Sequence, residues 1–257
     1  MGERRIAARR RAVAQELQGA LKLPPVRLKK TGNRGHDSNY IVSTKDGIVG
    51  ILRLVNPHRH RPSPPASSPM ALPAAAERLQ HEWQCLAAGA AAGLTPKPLW
   101  RADDALLCAY LPYKSLQEKF ERRKESGWEL AAAACRRIAA LHALGVTHMD
   151  MSMSNVLASA DGNHLAFIDF EYGPAPGLPV AAQRLFDHLR LIESIWKFLP
   201  AETRGDFAPW LNAFAAVVDD DMRAVDLSRL APALSRIFAD ERFKAALDSV
   251  LRRAAAA

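Results

Sequence analysis

What most constrains the fold is a change of pattern at Leu111-Pro112-Tyr113. Before this break, short β-rich runs alternate with turn residues. After it, apolar residues recur at helical spacing almost to the end of the chain. Strands are expected at Val26–Lys30, at Tyr40–Thr44 and from Ile48 to Val55, the last two joined by a tight turn at Lys45-Asp46-Gly47. A helix over 75–92 and strands over 97–102 and 105–110 complete the first part. Beyond the break, helices are expected over 115–125 and 128–145. An irregular stretch with short strands near 155–158 and 164–169 follows, and then helices from Pro179 onward, broken near Pro200, Asp226 and Asp240. A β-rich segment followed by a mostly helical one implies an α+β protein with two lobes. The expected organisation is a basic amphipathic arm over residues 1–25, an N-lobe over 26–112 and a C-lobe over 113–257. The Pro-, Ser- and Ala-rich stretch 56–74 reads as a flexible loop of the N-lobe.

Charge is distributed unevenly. Residues 1–35 carry ten Lys and Arg against two acidic residues, whereas the rest of the chain balances at 25 against 25. The excess is therefore a local arm, suited to a polyanion or an anionic membrane surface. It does not make the folded body a specific nucleic-acid binder. Residues 3–21 read as an amphipathic helix, with Ile6, Val13, Leu17 and Leu21 near one face and Arg4, Arg5, Arg9, Arg10 and Arg11 over much of the rest. Such a helix over residues 1–22 could lie on anionic lipid, or dock its apolar stripe on the N-lobe. Cys85, Cys108 and Cys135 are too few and too scattered for a disulfide scaffold or a zinc site. With 257 residues, the chain needs neither to fold. Neither a membrane span nor a signal peptide is visible, so a cytoplasmic location is expected, peripheral at the inner face of the cell membrane if the arm binds lipid.

The most informative residues are His148-Met149-Asp150-Met151-Ser152-Met153-Ser154-Asn155, followed by Phe167-Ile168-Asp169-Phe170-Glu171. The first run resembles the H-x-D-x-x-x-x-N catalytic loop of the protein-kinase-like superfamily, and the second its Asp-Phe-Gly metal motif. Leu141-His142-Ala143-Leu144-Gly145 is similar to the helix end that leads into that loop. The resemblance covers roughly residues 26–198 and implies a bilobal protein-kinase-like fold that binds ATP and Mg²⁺. It implies that Asp150 accepts or orients the proton of an attacking hydroxyl, and that Asn155 and Asp169 offer hard oxygen ligands to Mg²⁺. His148 belongs to this catalytic set and would hold the loop through hydrogen bonds. Gly32 and Gly35 resemble a reduced phosphate-covering loop. Arg53 stands where the family usually has its strand lysine, and Glu82 fits the helix carboxylate that pairs with that cation. Asp187 resembles the buried aspartate that anchors the catalytic loop from a later helix.

The acceptor is less legible. Asp187 follows Asp169 by only 18 positions, which leaves no room for a long activation loop or a peptide-docking motif. A small hydroxylated acceptor is therefore expected. Glu171 resembles the Asp-Phe-Glu of choline kinases. The register Arg184-x-x-Asp187-x-x-Arg190-Leu191-x-x-Ser194 resembles bacterial lipopolysaccharide core kinases of the Kdo/heptose type, which act on a membrane glycolipid. The alternatives are an aminoglycoside- or choline-type kinase, a minimal serine/threonine protein kinase, or a pseudokinase in which Arg53 replaces the usual lysine. No sequence feature sets the oligomeric state.

Overall fold

A computed structural model describes residues 6–31, 37–59, 62–122 and 127–252. The architecture is α+β, and the chain divides into two compact units. The first comprises Met1–Ser63 and Pro73–Pro112, the second Pro64–Leu72 and Tyr113–Ala257.

The first unit is built on an antiparallel sheet. Strands β1 (Arg27–Lys30), β2 (Ser38–Thr44), β3 (Gly47–Leu54), β5 (Pro98–Ala102) and β6 (Ala105–Ala109) lie in the order β1-β2-β3-β6-β5. Side chains alternate across the sheet. Tyr40, Val42, Leu52, Leu54, Ala105 and Leu107 share one core with Ile6, Val13 and Leu17 of the N-terminal segment. Helix α1 (Ala7–Leu21) therefore docks its apolar stripe on this face. Arg9 fixes the docking with a fork to Asp104, Nε to Oδ2 at 2.8 Å and Nη2 to Oδ1 at 2.7 Å, and also pairs with Glu16. Of the two placements open to a basic amphipathic helix, the structure has the docked one; Arg4 and Arg5 lie outside the described residues. Arg53 leaves the opposite face of β3, toward helix α2 (Ala75–Ala90), whose buried side carries Arg78, Leu79, Glu82, Cys85 and Leu86. Gly50 allows β3 to approach β6: a Cβ there would lie 2.1 Å from the Cys108 carbonyl oxygen.

The second unit holds a small sheet of β7 (Lys114–Ser115), β8 (Val156–Ala158) and β9 (Leu165–Phe167), in that order. Its helices include α3 (Leu116–Arg122), α4 (Gly127–Ala143), α5 (Val180–Trp196) and α6 (Ala208–Ala215). They are followed by the short α7 (Asp220–Arg223) and α8 (Ser235–Phe238), then α9 (Glu241–Leu251). Helix α5 is the centre of the unit and is buried along most of its length. Among its buried polar residues, the Glu193 carboxylate accepts from the main-chain N–H groups of Arg236 and Ile237, each at 3.1 Å. Trp210, fully buried, stacks on Phe214 and Phe243 with ring centroids 5.0 and 5.6 Å apart. The breaks expected near Asp226 and Asp240 coincide with caps, which accept from the N–H groups of Ser228 and Phe243, and Asp219 caps a further short helix through Met222 N–H.

Residues 56–74 depart from the expected loop of the first lobe. Within them, β4 (Met70–Ala71) pairs antiparallel with β10 (Gly173–Pro174), and Ala175 N–H donates to the Pro69 carbonyl at 2.9 Å. Residues 64–72 thus belong to the second unit, although they precede most of it in sequence. Two residues are too few to show a strand pattern, and the partner strand alone defines them. Among the described residues no helix is long and apolar enough to cross a membrane.

Candidate active site

In the second unit, α4 ends at Ala143, and Gly145 with φ 74° turns the chain toward Val146. The loop that follows hangs on one side chain of α5. Asp187 is fully buried, and its carboxylate accepts three hydrogen bonds: from His148 N–H at 2.8 Å, from Met149 N–H at 2.7 Å and from His142 Nε2 at 2.9 Å. Two of these donors are consecutive main-chain groups, and Met149, the second of them, adopts φ 65°, a left-handed conformation costly for a non-glycine residue. Asp187 compensates that strain. The side-chain hydroxyl of Ser194, seven residues further along α5, accepts from Met153 N–H at 3.1 Å.

His148 is fully buried and joins this loop to the next. Its Nε2–H donates to the Ile168 carbonyl at 2.8 Å, and its ring lies 4.5 Å from that of Phe170, centroid to centroid. These contacts give His148 a holding role. The Asn155 main-chain carbonyl accepts from Ile168 N–H at 3.0 Å, a second tie between the two segments. Asp169 follows at φ 70°. Among the described residues of this unit, the two left-handed non-glycine residues are thus a candidate residue, Asp169, and the neighbour of another, Met149, a placement typical of functional sites.

Asp150, Asn155 and Asp169 are brought together on this frame. Asn155 Nδ2 donates to the Asp150 main-chain oxygen at 3.0 Å and lies 3.4 Å from Asp150 Oδ2. Its amide nitrogen is thus committed to Asp150, which leaves the amide oxygen as the ligand it offers. Burial pushes the Asp150 carboxyl above its ordinary range; Arg190 opposes the rise and the charge of Asp169 adds to it. A neighbouring carboxylate charge that disfavours the ionised form of Asp150 marks a place where a cation is welcome. Among the described residues no group of three or more His, Cys, Asp or Glu side chains gathers as a metal site. A cation here would rest on Asp169 and Asn155 and take its remaining oxygens from water or a ligand, the habit of Mg²⁺. The donor set fits that ion.

The first unit carries a second cluster. Arg53 Nε lies 3.2 Å from Glu82 Oε2, so the expected cation–carboxylate pair is formed. Its Nη1 lies 3.8 Å from Asp37 Oδ2, and Asp37 in turn receives Arg78 Nη2 at 2.7 and 2.9 Å. All four side chains are buried, and their charges cancel. Sequence reading missed Asp37 and Arg78. The spacing of Arg78 and Glu82, i and i+4 on α2, is the one signal that could have placed Arg78 on the same face. It also assigned no contact to Arg190, whose Nη2 donates to Asp150 Oδ1 at 2.9 Å. Gly32 and Gly35, read as a phosphate-covering loop, lie outside the described residues. Burial pushes the Cys108 and Cys135 thiols up to about 12, too high for either to serve as a thiolate nucleophile at neutral pH.

No family model and no curated protein matches the chain. Among solved structures it is similar to the Rio2 kinase from Chaetomium thermophilum in an ADP/Mg²⁺-phosphoaspartate complex. The TM-score is 0.49 and the identity 16%, over 93% of this chain and 74% of that one.

Proposed function

We propose that the chain is an ATP-dependent phosphotransferase that delivers the γ-phosphoryl group to a hydroxyl of a small or lipid-linked sugar. One observation carries the reading: Asp150, Asn155 and Asp169 are gathered on strained loops that Asp187 and His148 hold in place. Phosphoryl transfer asks a protein chiefly for positioning and charge neutralisation, and a rigid oxygen-rich site supplies both. Asn155 and Asp169 would hold Mg²⁺, which supplies charge neutralisation at the phosphates when bound. Asp150 accepts the hydrogen bond of the acceptor hydroxyl and takes its proton as the new P–O bond forms and the bond from the γ-phosphorus to the bridging oxygen breaks, with ADP as the leaving group. In the first unit, Arg53, held by Glu82, stands where the resemblance puts the strand cation.

The acceptor class is supported by the segment after Asp169. Residues 173–175 already bond to residues 69–71, so that edge is used by the chain itself and an extended peptide has no strand to extend there. This favours a compact acceptor over a polypeptide. The test measures Mg²⁺-dependent ADP release with no acceptor, with a panel of sugars and aminoglycosides, with choline, with lipopolysaccharide and with generic protein. Release stimulated by a sugar or glycolipid is expected. It should fall at least about 10²-fold in Asp150→Asn, and Asp169→Ala should lose Mg²⁺-dependent nucleotide binding. Full activity in Asp169→Ala would refute the metal assignment, and stimulation by protein alone would refute the acceptor class.

A further inference from the structure

Arg190 lies one helical turn beyond Asp187 on α5, so both side chains leave the same face of the helix. Asp187 holds the main chain of the loop, and Arg190 reaches its carboxylate. The guanidinium Nη2 donates to Asp150 Oδ1 at 2.9 Å, and from the other side Asn155 Nδ2 approaches Oδ2 at 3.4 Å. The two carboxylate oxygens are therefore in unequal positions. Oδ1 takes a charge-assisted bond of good length, whereas Oδ2 has only a long contact. Rotation about the last bond of an aspartate is otherwise soft. The pair is not a solvated surface contact, since the Arg190 and Asp150 side chains are 23% and 22% exposed. Another arginine on the same helix behaves differently: Arg184 Nη1 pairs with Asp219 Oδ2 at 2.6 Å, away from the loop.

We propose that Arg190 is a positioning residue that holds Asp150 Oδ1 so that Oδ2 faces the acceptor hydroxyl. The proposal rests on the phosphotransferase reading above. A guanidinium suits the task because its planar fork sets direction as well as distance, which a lysine ammonium does not. Asp187 and Arg190 would then divide the work of α5, one fixing the backbone and the other the reacting carboxylate.

The experiment compares wild type, Arg190→Gln, Arg190→Lys and Arg184→Gln as full-length proteins. For each, kcat and the KM for ATP are measured by ADP release, Mg²⁺-dependent nucleotide affinity by a fluorescent ATP analogue, and Tm by calorimetry. Expected for Arg190→Gln is a fall in kcat of about 10- to 100-fold, the scale of a misplaced reacting group. Its KM for ATP, nucleotide affinity and Tm should stay near wild type. Arg190→Lys should recover part of the loss, and Arg184→Gln should retain wild-type kcat. The proposal is overturned by an Arg190→Gln kcat within about twofold of wild type. It is equally overturned if kcat, nucleotide affinity and Tm fall together without recovery in Arg190→Lys, because that pattern marks a structural ion pair. If Arg190→Gln does not fold, Arg190→Lys decides: a reduced kcat at unchanged KM supports the assignment, and a wild-type kcat refutes it. Wild-type protein without Mg²⁺-dependent ADP release would instead bring down the phosphotransferase reading itself.

Discussion

Replacing Asp187 by alanine should damage the site through stability before chemistry. The carboxylate accepts from the main-chain N–H groups of His148 and Met149 and from His142, and it is fully buried. Without it, two buried main-chain donors lose their acceptor, at about 1–3 kcal/mol each. The left-handed conformation of Met149, φ 65°, then loses the bond that offsets its strain. A loss of about 3–5 kcal/mol follows, below the sum of the upper limits because the loop can relax toward water. For a unit of this size, that corresponds to a fall in Tm of roughly 10 °C. Asp187→Asn keeps the volume and one acceptor oxygen but turns an amide N–H toward a donor, so it should fall between wild type and alanine. Urea denaturation gives the free energies, and an unchanged m value would show that the same surface is exposed. Hydrogen exchange gives the location, since the amides of His148 and Met149 should exchange faster in Asp187→Ala. An alanine variant within about 1 kcal/mol of wild type, with those amides still protected, would refute the view that Asp187 holds the loop.

Three further outcomes are expected. Arg53→Lys keeps the charge but cannot address Glu82 and Asp37 from one fork, so the first unit should lose about 1.5–3 kcal/mol and ATP affinity should weaken; wild-type values of both would contradict the shared pairing. His188 is fully buried, and burial pushes its pKa well below 6.5, with the charges of His142 and Arg184 adding to the effect. The unfolded chain then binds a proton below about pH 6.5 that the folded chain refuses. Stability should therefore fall as the pH drops below that value, by up to about 1.4 kcal/mol per pH unit from this group, and His188→Gln should flatten the slope seen in denaturation at pH 5 to 7.5. Deleting residues 1–22 removes Ile6, Val13 and Leu17 from the core of the first unit, a loss of about 1.5–3 kcal/mol for each large buried side chain, so the truncated protein should melt earlier; equal melting temperatures would show that α1 contributes no stability.

The sequence by itself determined the local parts. Strand and helix patterning placed the main elements within a few residues, because periodicity of 2 or 3.6 is written in consecutive side chains. The spacing from His148 to Asn155 and on to Asp169 was legible for the same reason: the residues that gather lie in two short runs joined by one strand pair. Glu82 and Asp187 were singled out through their resemblance to the helix carboxylate and the loop-anchoring aspartate of the kinase-like superfamily. Tertiary structure alone decided the rest. Arg190 meets Asp150 across 40 positions, and Arg78 meets Asp37 across 41. A charged residue carries no local mark of which distant opposite charge it will face; the packing of α5 and α2 makes that choice. Residues 70–71 have no strand signature of their own and become β4 only because residues 173–174 offer an edge to pair with. The basic N-terminal helix was equally compatible with lipid and with the sheet, since both bury the same apolar stripe. The core formed by Tyr40, Val42, Leu52 and Leu54 supplied the face on which Val13 and Leu17 are buried. Direct chain neighbours set the elements and the motif, whereas the choice of partner among distant residues came from the three-dimensional arrangement.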